Sequence, residues 1–144
     1  KIGPLDAMTT NPAGFDKTQG IVSAAYLKDG SDQQWDDDDG MKRFFAFLAK
    51  YAPQRDKKDT AVTNSYAAVQ ALEHVLRRCG DNLTRENIMR QAASLQDFTS
   101  DVMLPGVVAR TSSVDFRPLR QLHLMQLKKE KWELFGDLID SRAK

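Results

Sequence analysis

The sequence predicts a mixed α/β fold built from about three helices and a few strands. Apolar residues recur at helical spacing in three segments between residues 40 and 96. Short runs rich in β-branched and aromatic residues precede and follow them, at residues 20–27 and within residues 104–139. The chain of 144 residues, of which 41% are hydrophobic, is long enough to bury a core.

The first predicted strand covers residues 21–27. This run, IVSAAYL, follows Gly20 and ends at the turn-like sequence KDGSDQQ. Glycine and proline interrupt the preceding stretch, which predicts a loop over residues 1–19. Because so long a structureless lead is uncommon in a domain, and no signal-peptide pattern accompanies it, we expect the chain to be a piece of a larger protein.

The first predicted helix covers residues 40–51. Met41, Phe44 and Leu48 recur at helical spacing, and Pro53 ends the pattern. The helix therefore has one face that packs on a core.

Four consecutive aspartates, residues 36–39, stand directly before this helix. A calcium loop of the EF-hand type, with its glycine at the sixth position, would place Trp35 and Ala46 at the first and twelfth ligand positions. Neither side chain can coordinate a cation. We therefore predict that Asp38 or Asp39 caps the helix, the alternative being an adventitiously bound cation.

A second helix is predicted within residues 61–79, with Thr63 or Asn64 as its N-cap and Gly80 as its stop. Its buried stripe is predicted to comprise Ala68, Val69, Leu72, Leu76 and Cys79.

A third helix follows, with Thr84 as the predicted N-cap. Ile88, Ala92 and Leu95 form its predicted buried face.

Beyond residues 104–106, which spell Leu-Pro-Gly, the pattern changes from helix to strand. Residues 107–111 are predicted to form a strand and residues 112–121 a loop. The last apolar stretch predicts two strands around a charged turn at residues 128–131.

Composition excludes several function classes. Lys plus Arg total 21 and Asp plus Glu total 20, so a net charge of +1 gives no general attraction to nucleic acid or anionic lipid. The single cysteine, Cys79, excludes an internal disulfide and is predicted to be a small buried residue at a helix end. His74 and His123 have no partners at a metal-binding or catalytic spacing. We predict no catalysis, no metal and no cofactor.

Four segments, in order, carry a resemblance to a known family. They read GIVSAAYLKDGSDQQWDDDDGMKRFFAFLAKYAP, NSYAAVQALEHVLRRCGDNLTRENIMRQAASL, LPGVVARTSSVDFRPLRQLHLMQL and WELFGDLI. Together they resemble the C-terminal portion of the periplasmic solute-binding proteins of branched-chain amino acid ABC transporters, the leucine/isoleucine/valine-binding type. The resemblance covers residues 12–139.

The resemblance implies a partial periplasmic-binding-protein fold of type I, incomplete as a lobe. Complete members have two α/β lobes that close on a solute, joined by crossing segments. Residues 20–27 would be one crossing strand, residues 40–96 the helical part, and residues 104–139 the strands with the last crossing near 112–118. Much of each sheet and of the ligand cleft lies outside such a portion, so the resemblance implies that this chain is not competent to bind solute alone.

The resemblance also implies candidate ligand-binding residues. The aromatic residue of the Tyr-Ala-Ala helix tends to face the cleft in the family, and here it is Tyr66. Asn64 and Ser65 are adjacent and polar, while Ser23 and Tyr26 on the crossing strand are further candidates. At a helix start, free N–H groups could receive a ligand carboxylate beside the aromatic ring.

The implied function is an extracytoplasmic, periplasmic solute-binding component of an ABC transporter. Its solute would be an amino acid, amide or aromatic acid, its protein partner a membrane permease, and its mechanism hinge closure. Two alternatives stay open: a ligand-sensing regulator or receptor domain of the same fold, and a small enzyme whose site the sequence does not reveal. Helices without the sheet that they evolved to cover would expose apolar faces, so we also expect self-association.

Overall fold

A computed structural model describes residues 14–141 of the protein, and these residues contain four α-helices and one three-stranded antiparallel sheet. The sheet order is β1–β2–β3, with the long hairpin β2–β3 at one side. The elements are α1 (Gly14–Thr18), β1 (Val22–Ala25), a 3-10 turn (Gln33–Trp35), α2 (Asp39–Tyr51), α3 (Thr60–Cys79), α4 (Arg85–Ala92), β2 (Gln121–Lys128) and β3 (Lys131–Asp140).

The amino-terminal segment differs from the predicted loop. Residues 14–18 form the short helix α1, in which the Thr18 hydroxyl donates to the carbonyl oxygen of Gly14 at 3.0 Å. The earlier part of the predicted loop, residues 1–13, lies outside the described residues. Strand β1 is shorter than predicted, because at Leu27 the backbone turns to form an isolated bridge with Met103.

The aspartate run begins helix α2, as predicted. The Asp38 carboxylate accepts a hydrogen bond from the backbone N–H of Met41 at 2.9 Å. This is the N-cap interaction that satisfies one free N–H group of the first turn. Met41, Phe44 and Leu48 are buried on the predicted face.

Helix α3 begins earlier than predicted. Asp59 is its N-cap, and its carboxylate accepts from the backbone N–H of Ala61 at 2.8 Å. Thr63 and Asn64, the predicted caps, lie inside the helix. The Asn64 side chain instead donates to the carbonyl oxygen of Thr60 at 2.8 Å, a bond that lets polar residues stay within a helix.

The buried face of α3 also differs from the predicted stripe. Only Cys79 of the predicted set is buried, together with Thr63, Ala67 and Val75. These residues recur every four positions or multiples of four, and they face α2 and the segment at residues 95–109. The other four predicted residues lie on a different face of the helix, where they are exposed: Ala68, Val69, Leu72 and Leu76.

Helix α4 begins as predicted but ends at Ala92, before Leu95, and its one buried residue is Asn87. The Thr84 hydroxyl accepts from the backbone N–H of Asn87 at 3.4 Å, as an N-cap does. Leu95 is buried, and Ile88 and Ala92 pack against the same cluster. Gly80, with a φ of 55°, ends the preceding helix as predicted.

The predicted strand at residues 107–111 is wrong. One isolated bridge joins Phe98 and Ala109, with N–O distances of 3.1 and 2.7 Å. The turn at Gly106, which has a φ of 80°, brings this segment against residues 95–104. There the backbone N–H of Thr111 also donates to the carbonyl oxygen of Leu95 at 3.1 Å, but the pairing does not continue as a strand. The predicted hairpin at the end of the chain is confirmed, with its turn between β2 and β3.

Three apolar clusters form the core. The first lies between α3, α4 and residues 95–109, the second between α2 and α3, and the third beneath the hairpin. Leu27 and Trp35 pack against both of the first two clusters. The end of β1 therefore lies where the helices and the sheet meet.

Candidate functional site

A pocket of about 400 Å³ lies at this meeting point. Strand β1 and the 3-10 turn form two of its sides, while the first turns of α3 and the hairpin form the others. Most of its wall is apolar, as in small-molecule sites generally. The apolar wall residues are Ala24, Ala25, Leu27, Trp35, Leu104, Leu122, Met125, Trp132 and Leu134.

Asp32 holds the hairpin in place where it forms one wall of the pocket. It is only 2% exposed and accepts from the backbone N–H of Trp132 at 3.0 Å. The Gln34 side-chain amide donates both to Asp32 at 2.6 Å and to the carbonyl oxygen of Trp132 at 2.7 Å. These bonds join the 3-10 turn to a strand about one hundred residues further along the chain.

The indole of Trp132 is buried without a hydrogen-bond partner. The residue borders the pocket, but it is only 2% exposed, its Nε1 is fully buried, and no acceptor among the described residues pairs with that atom. A buried donor without a partner costs about 1–3 kcal/mol.

Lys28 lies shortly after the end of β1, at the polar end of the pocket wall. Its ammonium group donates to the Asp38 carboxylate at 2.7 Å and to the carbonyl oxygen of Asp101 at 2.9 Å. Partial burial raises the pKa of the Asp38 carboxyl, but the bonds from Lys28 and Met41 outweigh it and hold that pKa below its ordinary value. The two hydrogen bonds from Lys28 connect the segment after β1 to the start of α2 and to the loop that contains Asp101.

Three of the five predicted ligand-binding residues lie together in this pocket. Ser23 and Tyr26 come from β1 and the residue following it, and Asn64 comes from the second turn of α3. The Tyr26 hydroxyl donates to Asn64 Oδ1 at 2.9 Å. The structure therefore brings together polar side chains that are 38 residues apart in the sequence.

The other two, Ser65 and Tyr66, lie along a separate groove between α2 and α3. Because α3 begins at Thr60, Tyr66 is in its second turn and has no free helix N–H groups beside it. Its ring packs on Phe44, with centroids 5.0 Å apart. That Ser65 and Tyr66 contact a ligand stays a prediction. The two residues lie apart from Ser23, Tyr26 and Asn64.

Tyr66 belongs instead to a polar network around Asp101. Its hydroxyl donates to Asp101 Oδ2 at 3.1 Å, and the Gln70 amide donates to the same atom at 2.7 Å. Arg43 donates to Oδ1. Burial first, and then the negative charge of Asp101, raise the pKa of Tyr66 to about 12.

The two histidines lie apart from the pocket. The His74 ring packs near Phe98, with centroids 5.2 Å apart, and His123 Nε2 lies 2.8 Å from the carbonyl oxygen of Pro105. Within residues 14–141, no group of three or more His, Cys, Asp or Glu side chains could hold a metal ion. No helix in that range is both long and apolar enough to cross a membrane.

Sequence reasoning missed Asp32 and Trp132 as pocket residues. The one available signal was local: Asp32 stands before the 3-10 turn and accepts from the backbone N–H of Gln34, as a cap does. No spacing rule connects it to Trp132. Thr63, expected as a helix cap, is a buried residue of the pocket wall.

This chain is similar in structure to a known protein. No protein-family model matches the chain, and no curated protein matches it. A solved structure does: a branched-chain amino acid ABC transporter protein from Thermus thermophilus with bound valine, at a TM-score of 0.69 and 15% sequence identity. The match covers 96% of this chain and 37% of that protein.

This similarity extends over nearly the whole chain but over little more than a third of its neighbour. At 15% sequence identity, this similarity shows only that the two chains share a fold. It confirms the predicted fold, a partial periplasmic-binding-protein fold of type I, with four helices and a three-stranded sheet in the described residues.

Proposed function

We propose that this chain is the solute-contacting part of an extracytoplasmic binding component of an ABC transporter. The observation that supports the proposal is the pocket at the end of β1, which lies within a fold whose similar solved structure holds valine. The proposed solute is a small amphipathic molecule: an amino acid, an amide or an aromatic acid. The proposed protein partner is a membrane permease, and the proposed location is the periplasm.

The proposed mechanism is hinge closure, and the position of the pocket supports it. Strand β1 supplies Ser23, the next residue after the strand is Tyr26, and in the resemblance this strand crosses between lobes. A solute held against such a strand and against a second wall favours the conformation in which both walls touch it. The Lys28–Asp38 pair connects the segment after the strand to the start of α2 beside the pocket.

The pocket opens to solvent beside Asn64 and Leu122, which are both exposed. A solute bound by this chain alone keeps part of its surface in water. We therefore expect affinities no tighter than about 1 mM, or roughly −4 kcal/mol, which is too weak for efficient capture.

A titration followed by nuclear magnetic resonance tests the proposal. Valine, an aliphatic amide and an aromatic acid are added at millimolar concentrations to the isotope-labelled chain. We expect at least one of them to shift the backbone resonances of Ser23, Tyr26 and Asn64 in a saturable way. Shifts confined to Ser65 and Tyr66 would move the site to the second groove, and no saturable shift with any of the solutes would contradict the proposal.

The matched variants are Asn64→Ala and Ser65→Ala, which are neighbours on α3. Asn64 lines the pocket and Ser65 does not. Loss of binding in the first variant alone is the expected result.

A further inference from the structure

We propose that an exposed face of α3 pairs with the same face of a second copy of this chain, with the two helices antiparallel. The proposal concerns a surface apart from the pocket at the end of β1, and it does not depend on solute binding. It rests on the composition of this face, on the order of its small and large side chains, and on two charged residues at its ends.

The face is a stripe of exposed, uncharged residues. They recur every three or four positions and therefore lie on one side of the helix. These residues, the α3 stripe, are Ala61, Ser65, Ala68, Val69, Leu72 and Leu76. None of them lines the pocket at the end of β1. Residues 60–72 carry no charge, although the solvent side of a surface helix is ordinarily charged or polar. Depletion of charge is typical of the core of a protein interface.

The order of side-chain sizes in the stripe is complementary to its own reverse. The stripe residues before position 69 are small, and those from position 69 onward are valine and leucines. An antiparallel pair centred between Ala68 and Val69 sets each small residue of one copy opposite a large residue of the other. A parallel pair would set small on small and large on large, which leaves gaps at one end and crowding at the other. Side-chain size therefore favours antiparallel pairing with an identical chain.

The charges at the ends of the stripe favour the same arrangement. Asp59 and Arg77 are both exposed, and about five helical turns separate them, so they lie on the same side of α3. In the antiparallel pair, Asp59 of each copy comes opposite Arg77 of the other, whereas a parallel pair would bring like charges together at both ends. Arg77 also pairs with Glu73 at 2.6 Å within its own helix, and an exposed contact of this kind is worth little.

The area of this face is of the size that a specific dimer needs. A helix of 20 residues such as α3 is about 30 Å long. Beside it, α2 exposes Phe47 and Tyr51, and Phe47 borders the same groove as Ser65 and Val69. Two adjacent helices present a face about 20 Å wide, so its area is roughly 600 Å², close to the ~800 Å² per partner of a standard interface.

Disulfide trapping distinguishes the two orientations. Ser65→Cys and Leu72→Cys are made in separate chains, which are then mixed and oxidised in air. The antiparallel pair brings these two positions together, whereas equal positions lie about 10 Å apart along the helices, beyond the reach of a disulfide. We therefore expect intact mass spectrometry to show the mixed dimer in at least about tenfold excess over either homodimer.

A second pair of variants and the unmodified chain complete this experiment. Ala61→Cys mixed with Leu76→Cys should give the same result. The unmodified chain is the control, because its Cys79 is buried and should not cross-link. All substituted residues are exposed, so every variant should fold.

Sedimentation tests the charge contacts. Arg77→Glu should raise the dissociation constant of the dimer about three- to tenfold, because it sets two like charges together at each end. Arg85→Glu, at the exposed start of α4, makes the same change outside the stripe and should alter the dissociation constant less than about twofold.

Other results would overturn the inference. Homodimers of Ser65→Cys without the mixed product would show parallel pairing. A dimer in sedimentation that neither mixture can cross-link would place the interface elsewhere. A chain that stays monomeric at micromolar concentrations would show that the stripe does not bind a second copy. An unchanged dissociation constant in Arg77→Glu would refute the contact with Asp59.

Discussion

At the scale of single residues, Asp101 joins three parts of the molecule. Its carboxylate accepts from Arg43 on α2 and from Tyr66 and Gln70 on α3, while its backbone N–H donates to Gln70 Oε1 at 2.9 Å. Its carbonyl oxygen receives Lys28 from the end of β1. Burial raises the pKa of the Asp101 carboxyl, but the hydrogen bonds from Arg43, Gln70 and Tyr66 outweigh it and lower that pKa below its ordinary value.

Replacing Asp101 tests this network. Because hydrogen bonds to charged groups are the strong ones, Asp101→Asn should lower the free energy of unfolding at neutral pH by about 1–3 kcal/mol. A carboxyl with a lowered pKa in the folded state stabilises fully above its unfolded pKa, and this contribution is lost as pH falls through the folded value. The difference between the two proteins should therefore shrink as the pH falls below about 4. Urea unfolding measured at a series of pH values checks this.

Asp37→Asn is the matched control, because Asp37 is fully exposed and its pairing with Lys42 spans 3.3 Å at the surface. An exposed pair of this kind is worth little, so this control should change the free energy of unfolding by less than about 0.5 kcal/mol. A difference for Asp101→Asn that stays constant through acid would contradict the role given to its charge.

At the scale of the elements, the helix starts differ in what their caps bind. Asp59 caps α3 at an exposed position. Asp38 caps α2 and also neutralises Lys28, which is buried. Asp38 therefore both caps α2 and forms one half of an ion pair, because the start of α2 packs against the segment at the end of β1.

The two caps should differ in their energetic cost when replaced by alanine. Asp59→Ala loses one cap bond and should destabilise by about 1 kcal/mol. Asp38→Ala also leaves the ammonium of Lys28 buried without its carboxylate, so it should cost about 3 kcal/mol or more. Chemical unfolding of both variants gives the comparison. Equal losses would show that the Lys28–Asp38 pair adds nothing to the cap.

At the scale of the whole molecule, α3 has apolar residues on two faces. One face lies in the core, and the other exposes Val69 and Leu72 at 61% and 51%. In the described residues nothing covers this second face. Exposed apolar surface of this kind favours association, as expected from the sequence.

A double substitution tests whether this face drives self-association. We expect the unmodified chain to form dimers or larger species at micromolar concentrations in analytical ultracentrifugation. Val69→Lys with Leu72→Lys should shift it toward monomer, because charges on the face oppose its burial. Since both side chains are exposed, the free energy of unfolding of the monomer should change by less than about 0.5 kcal/mol for each substitution.

Val114→Lys, at a loop residue that is 91% exposed and distant in sequence, serves as the control and should leave association unchanged. A stable monomer of the unmodified chain at these concentrations would contradict the prediction.

The sequence by itself determined several local features of this protein, although not the start of α3 or the conformation of residues 107–111. Asp38, as one of two neighbouring candidates, and Thr84 were identifiable as helix caps, and Gly80 as a stop, because each acts on backbone groups within a few residues. The hairpin of β2 and β3 was predictable for the same reason. Tertiary structure decided the rest: which apolar face of α3 is buried, and which side chains meet in the pocket. Asp32 and Trp132 are 100 residues apart, and their contact follows from how the sheet packs against the helices. Local propensity contains no term for such packing, so the pocket could be found only in the folded chain.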